Sequence, residues 1–284
     1  GQGTPSPALF SAERMGSIEN SLNQIGELDR LAAQDTALHR RDPRAKLAAT
    51  LGFIVAVVSY HRYEVSALLP LALYPAALAG MGDIPARWLV RKLLIASPFA
   101  VMVGLANPFL DTAPLVHIGG LAVSGGWVSY ASILLRFTLT VSAALALVAG
   151  TGFNTVCMAL GRLGAPRVFV VQLLFLYRYL FVLAEEGLRM VRARNLRSFS
   201  GRGQGLKVYG SMLGQLLLRT MDRAQRIHQA MLCRGFDGQI RMAGDFRLGR
   251  ADLAFALGWL AFFALARTFN LAQLLGRIAT GLAG

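Results

Sequence analysis

Acidic side chains and cysteines are scarce in this chain of 284 residues: 15 are Asp or Glu and 2 are Cys. Cys157 and Cys233 lie far apart, which excludes a disulfide framework and a cysteine zinc site. His39, His61, His117 and His228 are scattered, with no paired spacing for a metal. Charged residues amount to 15%, against about 25% in soluble domains, so the composition points to the bilayer. A P-loop is missing as well. Gly201, Gly203, Gly205 and Lys207 come nearest to one, but Val208 follows and no buried strand precedes, so they read as a flexible turn. The chain is therefore not expected to hydrolyse ATP. The apolar segments hold no cluster of His, Glu or Cys that an intramembrane enzyme would need. A non-catalytic protein without cofactor or metal is expected.

What the chain has instead is apolar and basic residues. Hydrophobic residues reach 55%, and 29 Lys and Arg give a net charge of +14. Such a balance suits nucleic acid, anionic lipid or an acidic protein partner, and the apolar runs make nucleic acid the poorest fit. The opening GQGTPSPALFSAER, residues 1–14, has no apolar core and reads as a disordered linker ahead of Met15; residues 1–41 together form an N-terminal arm. Asp42 and Pro43 then supply a cap and a first helical position. Spanning helices, which need about 20 apolar residues, are expected at 44–60, 64–81, 92–107 and 127–149, and a fifth at 252–270. Arg40, Arg41, Arg44 and Lys46 precede the first helix, and Arg87, Arg91 and Lys92 precede the third, whereas residues 108–126 contain no Lys or Arg. Basic loops stay cytoplasmic, so the N-terminus is assigned to the cytoplasm and the 108–126 loop to the outside. The expected fold is an all-α polytopic membrane protein with about five transmembrane helices, or six if the start of 166–185 enters the bilayer. Its regions are 42–149 for helices 1–4, 150–250 for a cytoplasmic domain, and 251–284 for the C-terminal transmembrane helix.

Residues 150–250 are the unusual part. A short amphipathic helix stops at Gly164-Ala165-Pro166. One helix of about 30 residues, roughly 45 Å long, then runs from VFVVQ to RNLRSF, apolar first and basic last. After the GRGQG break a second long helix repeats that design and closes on MLCRGFDG. In it Met221, Ala224, Ile227 or His228, and Met231 make an apolar stripe among Arg219, Arg223, Arg226 and Arg234. A helix lying flat on anionic lipid has the same pattern. That reading leaves unexplained why small residues flank an arginine at the basic end. Cleared of bulk on both sides, a guanidinium can enter a groove on another protein and pair with carboxylates. Ala193-Arg194-Asn195 is the comparable triplet on the first long helix, and Cys233-Arg234-Gly235 ends the second.

The motifs DPRAKL, RARNLRSF and RAQRIHQAMLCRGFDG, in that order, resemble the transmembrane T component of energy-coupling-factor transporters, in its cobalt or nickel form. The resemblance covers about residues 25–250. In that family two cytoplasmic coupling helices each end in an Ala-Arg-Gly motif, and they couple two ATP-binding cassette ATPases to a substrate-binding membrane subunit. Carried over, the first motif falls on Ala193, Arg194 and Asn195, with Asn for the usual Gly. The second falls on Cys233, Arg234 and Gly235, with Cys for the usual Ala. The resemblance implies a coupling subunit for uptake of cobalt or nickel in the cytoplasmic (inner) membrane. Its partners would be two ATPases, a CbiM-like substrate-binding component and a small accessory membrane subunit; a vitamin-handling relative is the nearest variant.

Several single residues carry narrower expectations. Gly210 and Gly214 form a small-xxx-small pair suited to a close crossing of the two long helices. Arg136, a charge inside an apolar run, is costly enough to need a partner: a carboxylate such as Glu64 or Asp83, a neighbouring subunit, or the interface reached by snorkelling. His117 with Asp111 could touch an entering cation, although a solvated loop fits them better. Arg178 is spaced for pairing with Glu185-Glu186 along one helix face. A self-sufficient carrier, the rival from another class, would need broken helices or polar residues at midplane depth, and the spans offer little beyond Arg136.

Overall fold

The computed structural model describes residues 31–32, 34, 36, 38–61, 64–107, 114–118, 121–197, 206–238 and 248–269. The expectations for residues 1–14, Asp111 and the glycines of 201–205 lie outside them. The chain divides into two compact units, one from the described residues of 30–159 and 245–284, the other from those of 160–244.

In the first unit, helix α1 spans Pro43–Ser59. Asp42 caps it, with Oδ1 accepting from the Arg44 amide at 2.8 Å, and Pro43 occupies the first turn, where no amide hydrogen is needed. The second apolar run is broken rather than continuous: α2, Val65–Leu68, passes through a 3-10 turn at Pro70–Ala72 into α3, Leu73–Met81. Proline removes an amide donor and crowds the preceding turn, which accounts for the break. Helix α4 runs Ala86–Gly104. Between it and α5 (Gly125–Ala149) the 108–126 segment contains an antiparallel hairpin, β1 Pro114–Ile118 against β2 Leu121–Ser124, the described exception to an otherwise helical chain. A short helix, α6, follows at Phe153–Arg162. The unit closes with α9, Arg250–Phe269.

The core of this unit is aromatic. Phe53 of α1 stands 4.8 Å from Tyr74 and 5.5 Å from Phe263, ring centre to ring centre, and Tyr74 meets Trp259 edge-on at 4.9 Å. The Tyr74 hydroxyl, at 2.7 Å from Thr50 Oγ1, keeps its polar end satisfied. Gly52 lies directly under Leu260, so α1 and α9 approach closely there. Gly104 plays the same part between α4 and α5: a Cβ there would come within 2.7 Å of the Tyr130 ring.

Charges inside this unit tie segments together. Lys46, 2% exposed, donates to the carbonyls of Leu38 (3.1 Å) and Gly150 (3.2 Å), joining the N-terminal arm, α1 and the end of α5. At the opposite end of α1, Arg136 Nη2 donates to the carbonyls of Tyr60 (2.8 Å) and His61 (2.7 Å), and Arg267 Nη2 to Ser59 (3.1 Å). The last carbonyls of a helix have no partner within it and carry partial negative charge, so two guanidinium groups satisfy both needs. The partners of Arg136 are therefore backbone carbonyls, not the carboxylates considered from sequence. Glu64 pairs with Arg267 instead, at 3.6 Å.

The second unit is a pair of long helices, α7 Arg167–Arg197 and α8 Leu206–Cys233. Pro166 precedes α7, and Gly164, at φ +108, makes the turn before it. Among the described residues, three helices are long and apolar enough to cross a membrane: α5, α7 and α9. Phe99, Met102, Val55 and Val168 are all more than two-thirds exposed, as side chains facing lipid are. The chain is an all-α, polytopic membrane protein. The apolar half of α7 lies before Glu185-Glu186.

Candidate functional site

Helices α7 and α8 meet as an antiparallel pair through a short set of side chains. Glu186 of α7 accepts from Arg219 of α8 at 3.0 Å and from Arg189 on its own helix at 2.8 Å. These two arginines hold the Glu186 carboxyl below the usual carboxylate range, because a hydrogen-bonded carboxylate resists protonation. Glu186 thus pairs forward and across, rather than back to Arg178. Beside it, Gly187 faces Leu216, which would stand 3.9 Å from a Cβ placed there. Further along, the guanidinium carbon of Arg194 lies over the Tyr209 ring, 4.7 Å from its centre.

The crossing expected at Gly210 and Gly214 is not found there. A Cβ at either position meets nothing within 4 Å. Both glycines are exposed, because the face of α8 turned toward α7 carries Tyr209, Met212, Leu216 and Arg219. Register on a helix is set by spacings of three and four, and Gly210 and Gly214 fall off that face. The small residue at the contact is Gly187, on the partner helix.

The two arginine triplets end up in different settings. Ala193, Arg194 and Asn195 lie in the last turn of α7, with Ala193 exposed and Arg194 half-buried. Arg194 lines a groove of about 640 Å³ between the helices, together with Glu186, Arg189, Arg197 and Arg219. Cys233 is the last residue of α8; Arg234 and Gly235 follow it, all three exposed. Here the amide of Gly235 donates to Leu232 and that of Phe236 to Met231, both at 3.0 Å, while Gly235 adopts φ +76. This is the two-bond stop in which a left-handed residue turns the chain off the helix axis. The glycine after Arg234 is thus a conformational requirement, and it leaves Arg234 at the very end of the helix with its side chain in solvent.

Because Arg194 sits on Tyr209 near the start of α8, and Arg234 follows its end, the uninterrupted helix between them sets the spacing. At 1.5 Å per residue that is about 37 Å. Among the described residues no three His, Cys, Asp or Glu converge on a metal-sized site. The chemistry on display is cationic: arginines at two helix ends and a groove lined by four of them, suited to carboxylates. Stacking of Arg194 on Tyr209 is the element that sequence reading missed. Its only signal was an aromatic one turn into α8, indistinguishable from packing.

A family model described as cobalt transport protein, CbiQ, matches residues 34–243. The chain belongs to that family. The match takes in both long helices and both arginine triplets. Two relatives named cobalt transport protein CbiQ are similar to it. The one from Rhodobacter capsulatus is 27% identical over 227 residues, 77% of this chain and 87% of that one. The one from Salmonella typhimurium is 24% identical over 173 residues, 55% and 77% of the two chains. An uncharacterized protein of Methanocaldococcus jannaschii is 27% identical over 244 residues, 82% of each.

Proposed function

We propose that this chain is the transmembrane coupling subunit of an energy-coupling-factor importer for a transition-metal ion, cobalt or nickel. In this reading it lies in the cytoplasmic membrane with α7's basic half and α8 on the cytoplasmic side. Arg194 and Arg234 each enter an acidic groove on one of two ATPase subunits. The apolar faces of the membrane helices hold a separate substrate-binding component. The observation that carries the reading is the spacing of two arginines, Arg194 of α7 held against the start of α8 and Arg234 just past its end, set by one unbroken helix at about 37 Å. A single ATPase groove cannot take both, whereas two copies of one ATPase each present the same groove once. When the nucleotide-driven pair closes or opens, the spacing between grooves changes and the helices between them must tilt. Family membership supports cobalt as the cargo, since two relatives carry that name.

The test is capture. Arg194→Ala combined with Arg234→Ala is expected to leave the protein in the membrane and abolish co-purification of the ATPases. Undiminished ATPase recovery with the double variant refutes the docking assignment. Metal analysis of the purified complex checks the cargo, and bound vitamin in place of cobalt or nickel refutes that part alone.

A further inference from the structure

The two docking arginines are presented by different devices, and the difference assigns a role to Tyr209. Arg234 is exposed, and the backbone stop at Gly235 sets its position. Arg194 is half-buried, with its guanidinium 4.7 Å above the Tyr209 ring of the other long helix. That ring borders the apolar crevice of about 250 Å³ where Leu188 and Val191 of α7 meet Leu213 and Leu216 of α8. It is therefore a fixed platform belonging to the helix pair. Stacking engages the flat face of a guanidinium, while the N–H donors that grip a carboxylate lie in its plane. A ring beneath a guanidinium can thus fix its position without itself occupying the in-plane donors. A long arginine side chain also loses rotamer freedom on docking, and prior stacking removes part of that cost.

We infer that Tyr209 is a positioning residue for ATPase capture: its ring holds Arg194 in the docking conformation before the ATPase arrives. This rests on the proposed coupling function. It adds that one of the two docking points depends on an aromatic residue from the opposite helix, and the other does not.

The experiment measures affinity of the purified ATPase pair for the full-length chain in lipid nanodiscs. Five forms are compared: the unaltered protein, Tyr209→Leu, Tyr209→Phe, Arg194→Ala, and Arg194→Ala with Tyr209→Leu. Tyr209→Leu is expected to weaken capture by roughly 3- to 30-fold, the range of a partly desolvated cation–π contact. Tyr209→Phe keeps the ring and is expected to restore binding to within about 2-fold of the unaltered protein. In the Arg194→Ala background, Tyr209→Leu is expected to change nothing further, whereas a merely structural tyrosine would weaken binding in both backgrounds. If Arg194→Ala weakens capture and Tyr209→Leu leaves it unchanged or tightens it, the positioning role is overturned while the docking role stands. Equal losses from Tyr209→Leu with and without Arg194 also overturn it, as does a Tyr209→Phe variant no better than Tyr209→Leu. If Arg194→Ala itself binds as well as the unaltered chain, the coupling function at this site fails as well.

Discussion

Replacing Lys46 by methionine tests how the membrane unit is held together at the arm end of α1. The lysine ammonium donates to Leu38 O at 3.1 Å and Gly150 O at 3.2 Å, and the side chain is 2% exposed. Methionine matches the length and apolar stem but donates nothing, so the two carbonyls are left buried without that partner. Hydrogen bonds to a charged donor contribute about 1.5–3 kcal/mol each, giving roughly 3–6 kcal/mol for the pair. Relief from burying the ammonium offsets part of this, so the expected net loss is about 2–4 kcal/mol. The measurement is equilibrium unfolding of the detergent-solubilised protein, paired with protease digestion of the arm around Leu38. Arm cleavage should rise in step with the loss of stability, because the lysine bonds residue 38 to α1 and to the end of α5. Lys46→Met unfolding within about 0.5 kcal/mol of the unaltered protein, with no change in cleavage, refutes the account.

Other expectations follow from neighbouring features. Gly104→Ala places a methyl within 2.7 Å of the Tyr130 ring and should lower stability by about 1–3 kcal/mol, read from thermal unfolding in detergent. Gly235→Ala, at φ +76, should cost about 1 kcal/mol and fray the end of α8; amide exchange at Met231 and Leu232 reports it. Because the Glu186 carboxyl is depressed by Arg219 and Arg189, its contribution is fully present above the unfolded-state value and is lost as pH falls through the lower folded value. Acid titration of thermal stability should therefore be shallower below about pH 4.3 in Glu186→Gln than in the unaltered protein; identical acid limbs contradict the pairing. Arg136→Met should loosen Tyr60 and His61, just past the end of α1, seen as faster exchange there, while α9 stays protected.

The sequence made some of this legible through local rules with few alternatives. Asp42-Pro43 marked the start of α1 to the residue, because a cap followed by proline suits little else. The two long helices and the arginine near the end of each were also visible, since apolar-to-basic drift along a helix is a one-dimensional pattern. Contacts that join distant segments were not. Arg136 looked as though it needed a carboxylate, since nothing in the sequence shows where the carbonyls at the end of another helix will lie. Gly210 and Gly214 matched a spacing that many helix pairs use, but the rotation of α8 about its axis decides which face meets α7. That rotation is set by Leu216, Arg219 and Tyr209 acting together.

The outward-facing glycines of α8 have a mechanical consequence. Each lowers helix stability by about 1 kcal/mol relative to alanine and brings no side chain to brace the turn. Both lie in the first third of α8; the stretch from Gln215 to Cys233 contains neither glycine nor proline. A lateral force at Arg234 therefore acts through a stiff beam whose compliance is concentrated near the other end. A pivot there of about 10° carries the far tip through roughly 5 Å, for a beam rising 1.5 Å per residue.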